Sequence, residues 1–298
     1  MIQPGRLLTA MVTPFAADGS VNYDAARRLA IALLDSGSDG VLIAGTTGES
    51  PTLTHDEKLR LFSEVKSAVG ERGAVVAGTG TYNTAESVEL TREASNTGVD
   101  AILAVTPYYN KPPQEGMYRH FAAIAEATSL PVIMYNIKSR TGVNMEADTM
   151  VRLSQIENIA GVKEASGDFE QIGHAIGETR KGFLVWSGND EDTLTVLELG
   201  GYGVIAVISH LVGRQVKSMI DDTLAGKLDS AHATHERLLP LIEALFCVSN
   251  PIPVKYALGQ LGFPAGGWRL PLCEPDAASA ERIMAEVRRH QIDLPVAV

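Results

Sequence analysis

The feature that most constrains the fold is an eightfold alternation of short apolar runs with helical segments. The runs begin near Leu7, Val41, Ala74, Ala101, Pro131, Ile159, Phe183 and Val204. They are rich in β-branched residues and follow one another at roughly 20 to 35 residues, the length of one βα unit. Several are apolar at every position, which is typical of strands covered on both faces. The pattern predicts an α/β fold, a (β/α)8 TIM barrel, and favours it over an open doubly wound sheet.

Helix boundary signals separate these runs. The segment from Thr54 to Glu57 has the sequence of a capping box, and Asn83 to Glu86 repeats the pattern. Asn22 is predicted to open the first helix, which Gly37 ends. These signals predict helices between the strands.

The pattern changes after the eighth run. From about Leu211 the chain has only helical periodicity. Residues 1–229 are therefore predicted to form a barrel that carries the active site, and residues 230–298 an appended bundle of about three helices. Because no Ser/Gly-rich linker separates the two parts, we expect the bundle to pack on the barrel.

Composition and charge exclude several classes of partner. The net charge of −11 is spread along the 298 residues, whereas nucleic-acid binding requires clustered Lys and Arg. No apolar run approaches the ~20 residues that span a bilayer, so no membrane partner is expected. The two cysteines, Cys247 and Cys273, indicate a reducing compartment. With no signal-peptide pattern at the start of the sequence, the predicted location is cytoplasmic.

Polar residues follow five of the apolar runs, at the barrel edge where such folds carry their chemistry. They occupy positions 45–49, 106–111, 135–142, 163–166 and 187–190. Lys163 follows the apolar run IAGV, and an ammonium among apolar neighbours has a lowered pKa. The neutral amine is the nucleophile that forms a Schiff base with a 2-oxo acid. Taken alone, Lys163 is explained more simply by an ion pair with Glu164.

The neighbouring strand ends favour the nucleophile. Tyr135 could pass protons during imine formation, although a lone strand-end Tyr is typical of a packed core. Thr46 and Thr47 lie in a glycine-flanked turn whose N–H groups and hydroxyls can converge on a carboxylate. Arg140 can hold a second carboxylate with its planar guanidinium. The segment 78–80 is interpreted as a tight turn only.

The sequence carries no sign of a bound cofactor. It has neither a Walker A motif nor a complete dinucleotide fingerprint. His232 and His235 lack a third ligand of convincing spacing, so they are predicted to be surface histidines and not a metal site.

Four segments occur in an order that identifies a family. They are GTTGES at 45–50, TPYYNKP at 106–112, YNIKSRTG at 135–142 and GVKEASGD at 161–168, and NPIPVKYAL follows at 250–258. With these motifs the chain resembles, nearly from end to end, the dihydrodipicolinate synthase family. This family is also called 4-hydroxy-tetrahydrodipicolinate synthase and belongs to the pyruvate-dependent class I aldolases.

The resemblance implies a reaction and the residues that perform it. Pyruvate would condense with aspartate-4-semialdehyde on the route to diaminopimelate and lysine. Lys163 matches the Schiff-base lysine of the family. Tyr135, Thr46 and Tyr109 match its proton relay, in which Tyr109 reaches in from a neighbouring subunit. No cofactor is implied beyond the covalent imine with pyruvate at Lys163.

The resemblance also implies how the substrates are held. Thr47 matches the contact to the pyruvate carboxylate, and Arg140 matches the arginine that recognises the semialdehyde carboxylate. Gly188 and Ile205 match residues that line the same pocket. A homo-oligomer is expected, a dimer of dimers, in which the dimer is the smallest unit with a complete site.

Two departures from the family pattern bear on substrate and regulation. Lys138 stands where the family commonly has Pro, which keeps a related activity on another acceptor open. In relatives inhibited by lysine, the effector pocket matches Ser50, His55, Lys58, Tyr82, Glu86 and Tyr108. Because Lys58 replaces a common His and would repel cationic lysine, the hypothesis is weak or absent lysine inhibition.

Two other functions remain as alternatives. One keeps the imine but changes the acceptor, as in a neuraminate-lyase-like or sugar-acid aldolase or a dehydratase. Arg140 followed by Thr-Gly favours the synthase over these enzymes. The other is a non-catalytic ligand-binding barrel, against which the combination of Lys163, Tyr135 and Thr46 argues.

Overall fold

A computed structural model describes residues 4–295, in which eight parallel strands close into a barrel in chain order. The strands are β1 (Leu7–Ala10), β2 (Gly40–Ile43), β3 (Ala74–Gly78), β4 (Ala101–Val105), β5 (Val132–Asn136), β6 (Ile159–Glu164), β7 (Leu184–Ser187) and β8 (Gly203–Ala206). Because β1 pairs with both β2 and β8, no strand is left at an edge. The predicted (β/α)8 barrel is confirmed, and each apolar run coincides with a strand that begins within one residue of it.

Helices follow the strands and cover the outside of the barrel. They are α1 (Tyr23–Asp35), α2 (His55–Val69), α3 (Thr84–Ala94), α4 (Gln114–Glu126), α5 (Lys138–Thr141), α6 (Ala147–Ser154), α7 (Phe169–Glu178), α8 (Thr193–Glu198), α9 (Ser209–Leu224), α10 (Leu228–Leu245), α11 (Ile252–Gln260) and α12 (Ala277–Arg289). None of the helices found between residues 4 and 295 is both long and apolar enough to cross a membrane. The short helix α5 lies in the loop between β5 and α6, at the barrel edge expected to carry the site.

The helix caps agree with the local sequence signals at two of three places. Thr54 and Glu57 form a complete capping box at the start of α2, and Asn22 caps α1 by accepting from a backbone N–H. At α3 the second capping box is wrong in detail. Asn83 accepts from the backbone N–H of Ala85, and its amide donates to the Glu86 carboxylate. The two side chains therefore bond to each other across the first turn.

The core has two parts because each strand points alternate side chains inward and outward. The interior of the barrel is filled by Leu8, Ala10, Leu42, Val76, Ala101, Leu103, Ile133, Tyr135, Ile137, Ala165, Trp186 and Ile205. A larger cluster fills the layer between the strands and the surrounding helices. The interior is thus a packed core, so space for a ligand arises at its ends.

The C-terminal helices contact the loop that follows β2. Lys255 on α11 forms an ion pair of 2.7 Å with Glu49, and both side chains are fully buried. The backbone N–H of Arg269 donates to the other Glu49 oxygen at 3.1 Å, and its guanidinium binds Glu57 with two hydrogen bonds. A helical part therefore follows the barrel and reaches back to it. The boundary between residues 229 and 230 stays a prediction, since α10 already begins at Leu228.

Loss of one partner of the buried ion pair should be strongly destabilising. Lys255→Met leaves the Glu49 carboxylate buried without its cation, and we expect the free energy of unfolding to fall by about 3–5 kcal/mol. The double variant Glu49→Gln/Lys255→Met removes both charges and should recover at least half of that loss. Urea unfolding followed by circular dichroism measures both.

A surface pair provides the control for this prediction. Lys227 and Asp222 are 3.5 Å apart with the lysine side chain 68% exposed, so Lys227→Met should change stability by less than about 1 kcal/mol. Equal losses for Lys255→Met and Lys227→Met would contradict a dominant role for the buried pair.

Candidate active site

Lys163 lies on β6 inside the barrel, between two aromatic residues of the neighbouring strands. The strand register places it beside Tyr135 on β5 and Trp186 on β7. It is 5% exposed, and its Nζ lies 4.5 Å from the centre of the Tyr135 ring. Burial lowers the pKa of this lysine from 10.5 to about 8, and the negative charge of Asp190 partly opposes the shift. A nucleophilic neutral amine is therefore available near neutral pH.

The ion pair with Glu164, which Lys163 alone suggested, is not formed. The carboxylate of Glu164 accepts hydrogen bonds from the Asn136 amide at 3.0 Å, the Ser166 backbone N–H at 2.7 Å and the Gln171 amide at 3.3 Å. Gln171 belongs to α7, so Glu164 points toward the helix layer while Lys163 points into the barrel. The alternation along β6 thus separates the two charges.

A cavity of about 200 Å³ opens at the carboxyl ends of the strands. It is lined by Ala44, Gly45, Thr46, Ser50, Pro51, Gly78, Gly80, Leu103, Val105, Tyr108, Tyr135, Ile137, Arg140 and Thr141. Three of the predicted catalytic and substrate-binding residues, Thr46, Tyr135 and Arg140, are among them. Lys163 is not in this lining, and its neighbour Tyr135 connects it to the cavity.

The interpretation of residues 78–80 as a tight turn only is wrong, because Gly78 and Gly80 form part of the cavity wall. A Cβ at Gly80 would lie 2.4 Å from the backbone N of Val105. The glycine therefore lets β3 and β4 approach closely at this rim. The sequence shows a Gly-Thr-Gly segment but not which neighbour it must accommodate.

Tyr135 is a buried phenol, and burial raises the pKa of its hydroxyl. It therefore stays protonated at neutral pH and can donate a proton to a reacting group before it accepts one. Its position next to Lys163 and in the cavity wall is the one that a proton carrier for imine chemistry requires.

The turn after β2 presents its two threonines differently. Thr46 lines the cavity, whereas Thr47 is buried, and its hydroxyl oxygen lies 2.9 Å from the side-chain amide nitrogen of Asn250. The hydroxyl of Thr13, after β1, donates to the backbone carbonyl of Gly48 at 2.6 Å. The turn is held by the loop after β1 on one side and by the segment preceding α11 on the other.

Gly188, in the loop after β7, and Ile205, in the barrel interior, both lie outside the cavity lining. The backbone N–H of Gly188 donates to the Glu164 carbonyl at 2.7 Å, and a Cβ there would lie 2.7 Å from that of Ala165. Only glycine permits this close approach of the loops after β6 and β7. Ile205 on β8 is buried in the interior cluster together with Tyr135.

Asp190 is a functional candidate to which the sequence assigned no role. It is buried at the end of β7, and its carboxylate accepts from the backbone N–H groups of Val207 at 3.0 Å and Ile208 at 3.1 Å. Burial raises the pKa of Asp190 to about 7, and its charge acts on Lys163. The sequence signal for this residue is its position: Asp190 is an acidic residue just after β7, the strand that pairs with the strand of Lys163.

Tyr109 is not brought to the cavity of its own chain. It is 87% exposed and has a positive φ of 71°. The preceding residue, Tyr108, lines the cavity and packs edge to face on Tyr82 with the ring centres 5.1 Å apart. Of the two adjacent tyrosines, Tyr108 thus lies in the cavity wall and Tyr109 on the protein surface.

The residues of the expected effector pocket fall into two groups. The first group is Lys58, Tyr82, Glu86 and Tyr108, whose charges act on one another. Burial lowers the pKa of Lys58, and the negative charge of Glu86 partly opposes this shift. Burial raises the pKa of Tyr108. Ser50 lines the cavity beside Tyr108. His55 instead bonds Glu93 at 2.7 Å.

The two C-terminal histidines occupy different surroundings on α10. His232 bonds Glu198 at 2.7 Å and is exposed, while His235 is half-buried and its pKa is lowered by burial. Within residues 4–295, no three His, Cys, Asp or Glu side chains are grouped so that they could hold a metal ion.

Known proteins resemble the chain over almost its whole length. A profile of the dihydrodipicolinate synthetase family matches residues 3–290. The 4-hydroxy-tetrahydrodipicolinate synthase of Dehalococcoides mccartyi is 57% identical over 99% of this chain and 100% of that relative. The structure of the Cyanidioschyzon merolae synthase with lysine bound has a TM-score of 0.94 at 45% identity, covering 95% of this chain and 97% of that chain. For the chloride-inhibited Acinetobacter baumannii dihydrodipicolinate synthase complexed with pyruvate, the TM-score is 0.93 at 36% identity, with 99% and 100% covered.

The lowered pKa of Lys163 gives a direct prediction. Competitive acetylation, followed by peptide mass analysis, should show half-maximal labelling of Lys163 near pH 8, because the neutral amine appears as the pH rises through its pKa of about 8. In Asp190→Asn, which lacks the charge that favours the ammonium, the midpoint should move to lower pH. A midpoint near the ordinary lysine value of 10.5 would show that burial does not control this amine.

Proposed function

The chain belongs to the dihydrodipicolinate synthetase family, and we propose that it condenses pyruvate with aspartate-4-semialdehyde through an imine at Lys163. As a member of that family it is a synthase of the lyase class. One observation carries the role of Lys163: a buried amine with a pKa of about 8 lies beside Tyr135 at the reactive end of the barrel. The relative crystallised with pyruvate supports this first substrate.

The proposed chemistry uses Lys163 as a temporary electron sink. Its neutral Nζ attacks the ketone carbon of pyruvate, and an amine proton moves to the oxygen. A proton from Tyr135 then lets the hydroxyl leave as water, so that a protonated imine remains. The imine withdraws electrons, so the methyl group can lose a proton and become an enamine. The enamine carbon then attacks the aldehyde carbon of the second substrate and forms the new C–C bond. The substrate amine finally displaces Lys163 as the ring closes.

Each step needs a proton carrier, because Lys163 and Tyr135 are buried away from bulk solvent. Tyr135, with its raised pKa, is the proposed donor and acceptor at the imine, and Thr46 lines the same cavity. Such transfers contribute on the order of 10²–10⁴-fold to the rate. Tyr109 is proposed to complete the relay from a second copy of the chain. Its 87% exposure supports this assignment, and a dimer, or a dimer of dimers, would then be the working assembly.

The two substrate carboxylates are proposed to bind at different depths. Thr47, buried in the turn after β2, would take the pyruvate carboxylate, and Arg140 at the cavity wall the carboxylate of the acceptor. Gly188 and Ile205 would shape the inner wall. This chemistry requires neither a metal nor a diffusible organic cofactor, since the imine supplies the electron withdrawal. A cytoplasmic location stays a prediction.

The covalent step is tested by trapping. Borohydride reduces an imine to a stable amine, so wild-type protein incubated with pyruvate should gain one pyruvyl group, mapped by peptide mass analysis to Lys163. Lys163→Ala should gain none, while the control Lys181→Ala, at an exposed lysine, should be labelled like the wild type. An adduct that persists in Lys163→Ala would refute the proposed nucleophile.

The acceptor is tested separately, because Lys138 adds an exposed cation two residues from Arg140. Turnover is expected with aspartate-4-semialdehyde in an assay coupled to the downstream reductase. Arg140→Ala should lose most of kcat/KM for that acceptor while pyruvate trapping persists. Turnover on sugar acids and none on the semialdehyde would instead identify a related aldolase.

Lysine is expected to inhibit weakly. The charge of Glu86 favours the ammonium form of Lys58, and this cation repels a cationic amino acid. Titration of the activity with lysine should give no inhibition below the millimolar range, and Lys58→His should increase the sensitivity. A sub-millimolar inhibition constant for the wild type would overturn this expectation.

A further inference from the structure

We infer that Asn250 is a positioning residue for the first substrate, because its side-chain amide orients the Thr47 hydroxyl toward the pyruvate carboxylate. The inference rests on the proposed function, in which Thr47 contacts that carboxylate. Asn250 lies between α10 and α11, in the part of the chain that follows the barrel. A residue outside the eight βα units would thus control substrate binding.

The contact between the two side chains is short and shielded from water. The amide Nδ2 of Asn250 lies 2.9 Å from Oγ1 of Thr47, which is ordinary hydrogen-bond distance. Asn250 is 7% exposed and Thr47 is 3% exposed. Water therefore competes little for either group, and the amide determines where the hydroxyl points.

The direction of donation decides what the hydroxyl can do next. A threonine hydroxyl has one hydrogen to donate and two lone pairs to accept with. Because the Asn250 amide donates to Oγ1, the hydroxyl hydrogen remains free for an acceptor. The accepted bond also polarises the O–H group and strengthens its own donation. A substrate carboxylate is the kind of acceptor that such a hydroxyl binds well.

The amide of Asn250 is only half satisfied. Its Oδ1 is buried, and no residue between 4 and 295 bonds to it. A buried acceptor without a partner costs stability, so folding alone gives little reason for an amide at this position. A role in orienting the Thr47 hydroxyl would explain why Asn250 is present although its Oδ1, unpaired within residues 4–295, lowers stability.

The C-terminal segment that contains Asn250 contacts the turn after β2 at a second point. Lys255, five residues after Asn250, forms the buried ion pair with Glu49, two residues after Thr47. The hydrogen bond and the ion pair therefore connect one stretch of the C-terminal region to one turn of the barrel. Two attachments fix both the distance and the angle between Asn250 and Thr47, which a single contact would leave free.

The test is a double-mutant cycle read as KM for pyruvate. Asn250→Ala should raise KM by about 10- to 100-fold with kcat nearly unchanged, because a charge-assisted contact is lost equally from the bound substrate and the transition state. Thr47→Val should have a similar effect. In the Thr47→Val background, adding Asn250→Ala should change KM by less than about twofold, since the residue it acts through is gone.

Three further measurements keep the outcomes distinct. Asn158→Ala is the matched control. It removes a side-chain amide that donates to the backbone carbonyls of Ala125 and Thr128 at the amino end of β6, away from Lys163, and the KM of this variant for pyruvate should equal that of the wild type. Asn250→Asp keeps the shape but accepts the Thr47 hydrogen, so KM should rise at least as much as in Asn250→Ala. If Asn250→Ala does not fold, as judged by its thermal transition, Asn250→Asp is used in the cycle.

The results separate this inference from the proposed function. If wild-type protein forms the borohydride-trapped adduct but the effects of the Asn250 and Thr47 substitutions multiply, Asn250 does not act through Thr47 and the inference is wrong. The same holds if kcat falls while KM stays constant. If the wild type forms no pyruvyl adduct, the proposed function fails first.

Discussion

The desolvation of one ammonium group, that of Lys163, is the interaction around which the chemistry of this barrel is arranged. An inward-facing position on a strand of a closed barrel is covered on all sides, so the amine loses its hydration and its pKa falls to about 8. Tyr135 lies beside it because β5 and β6 are in register at these positions. Asp190 limits the shift, which keeps part of the population charged. The reactivity of the lysine is thus a property of the barrel and not of its immediate sequence.

The C-terminal region does more than cover the barrel. Its contacts to the turn after β2 include a buried ion pair at Glu49 and a hydrogen bond at Thr47, and the Arg269 guanidinium makes two further bonds to Glu57 on α2. Under the proposed function this turn holds a small carboxylate, and a misplaced hydroxyl would lose that contact. Attaching the turn to helices distant in sequence restricts it more than its own short loop would. The barrel and the C-terminal helices are consecutive in the chain, but residues of both parts form the surroundings of the turn after β2.

The predictable part of the molecule is the part governed by local physical rules. Apolar runs mark the strand starts to within one residue, and caps such as Thr54 with Glu57 mark helix starts. Sequence proximity was a poor guide to side-chain partners on the strands. Taken alone, Lys163 suggested an ion pair with the adjacent Glu164, whereas the strand alternation directs Glu164 to Asn136 and α7. The local view assigned nothing to Asp190 or Asn250, since neither belongs to a spacing pattern that signals its partner.

The sequence by itself determined the fold class, the strands and the motif residues, because hydrophobic periodicity and strand order act over a few tens of residues. It also placed Lys163, Tyr135 and the turn at 45–49 on the reactive rim, since parallel strands share one carboxyl end. Only the tertiary structure decided which groups meet across that rim. The Lys163 amine lies over the Tyr135 ring and is affected by the charge of Asp190, and the Asn250 amide donates to the Thr47 hydroxyl. Such contacts join residues as many as 203 positions apart, and their energy depends on burial that exists only once the barrel has closed.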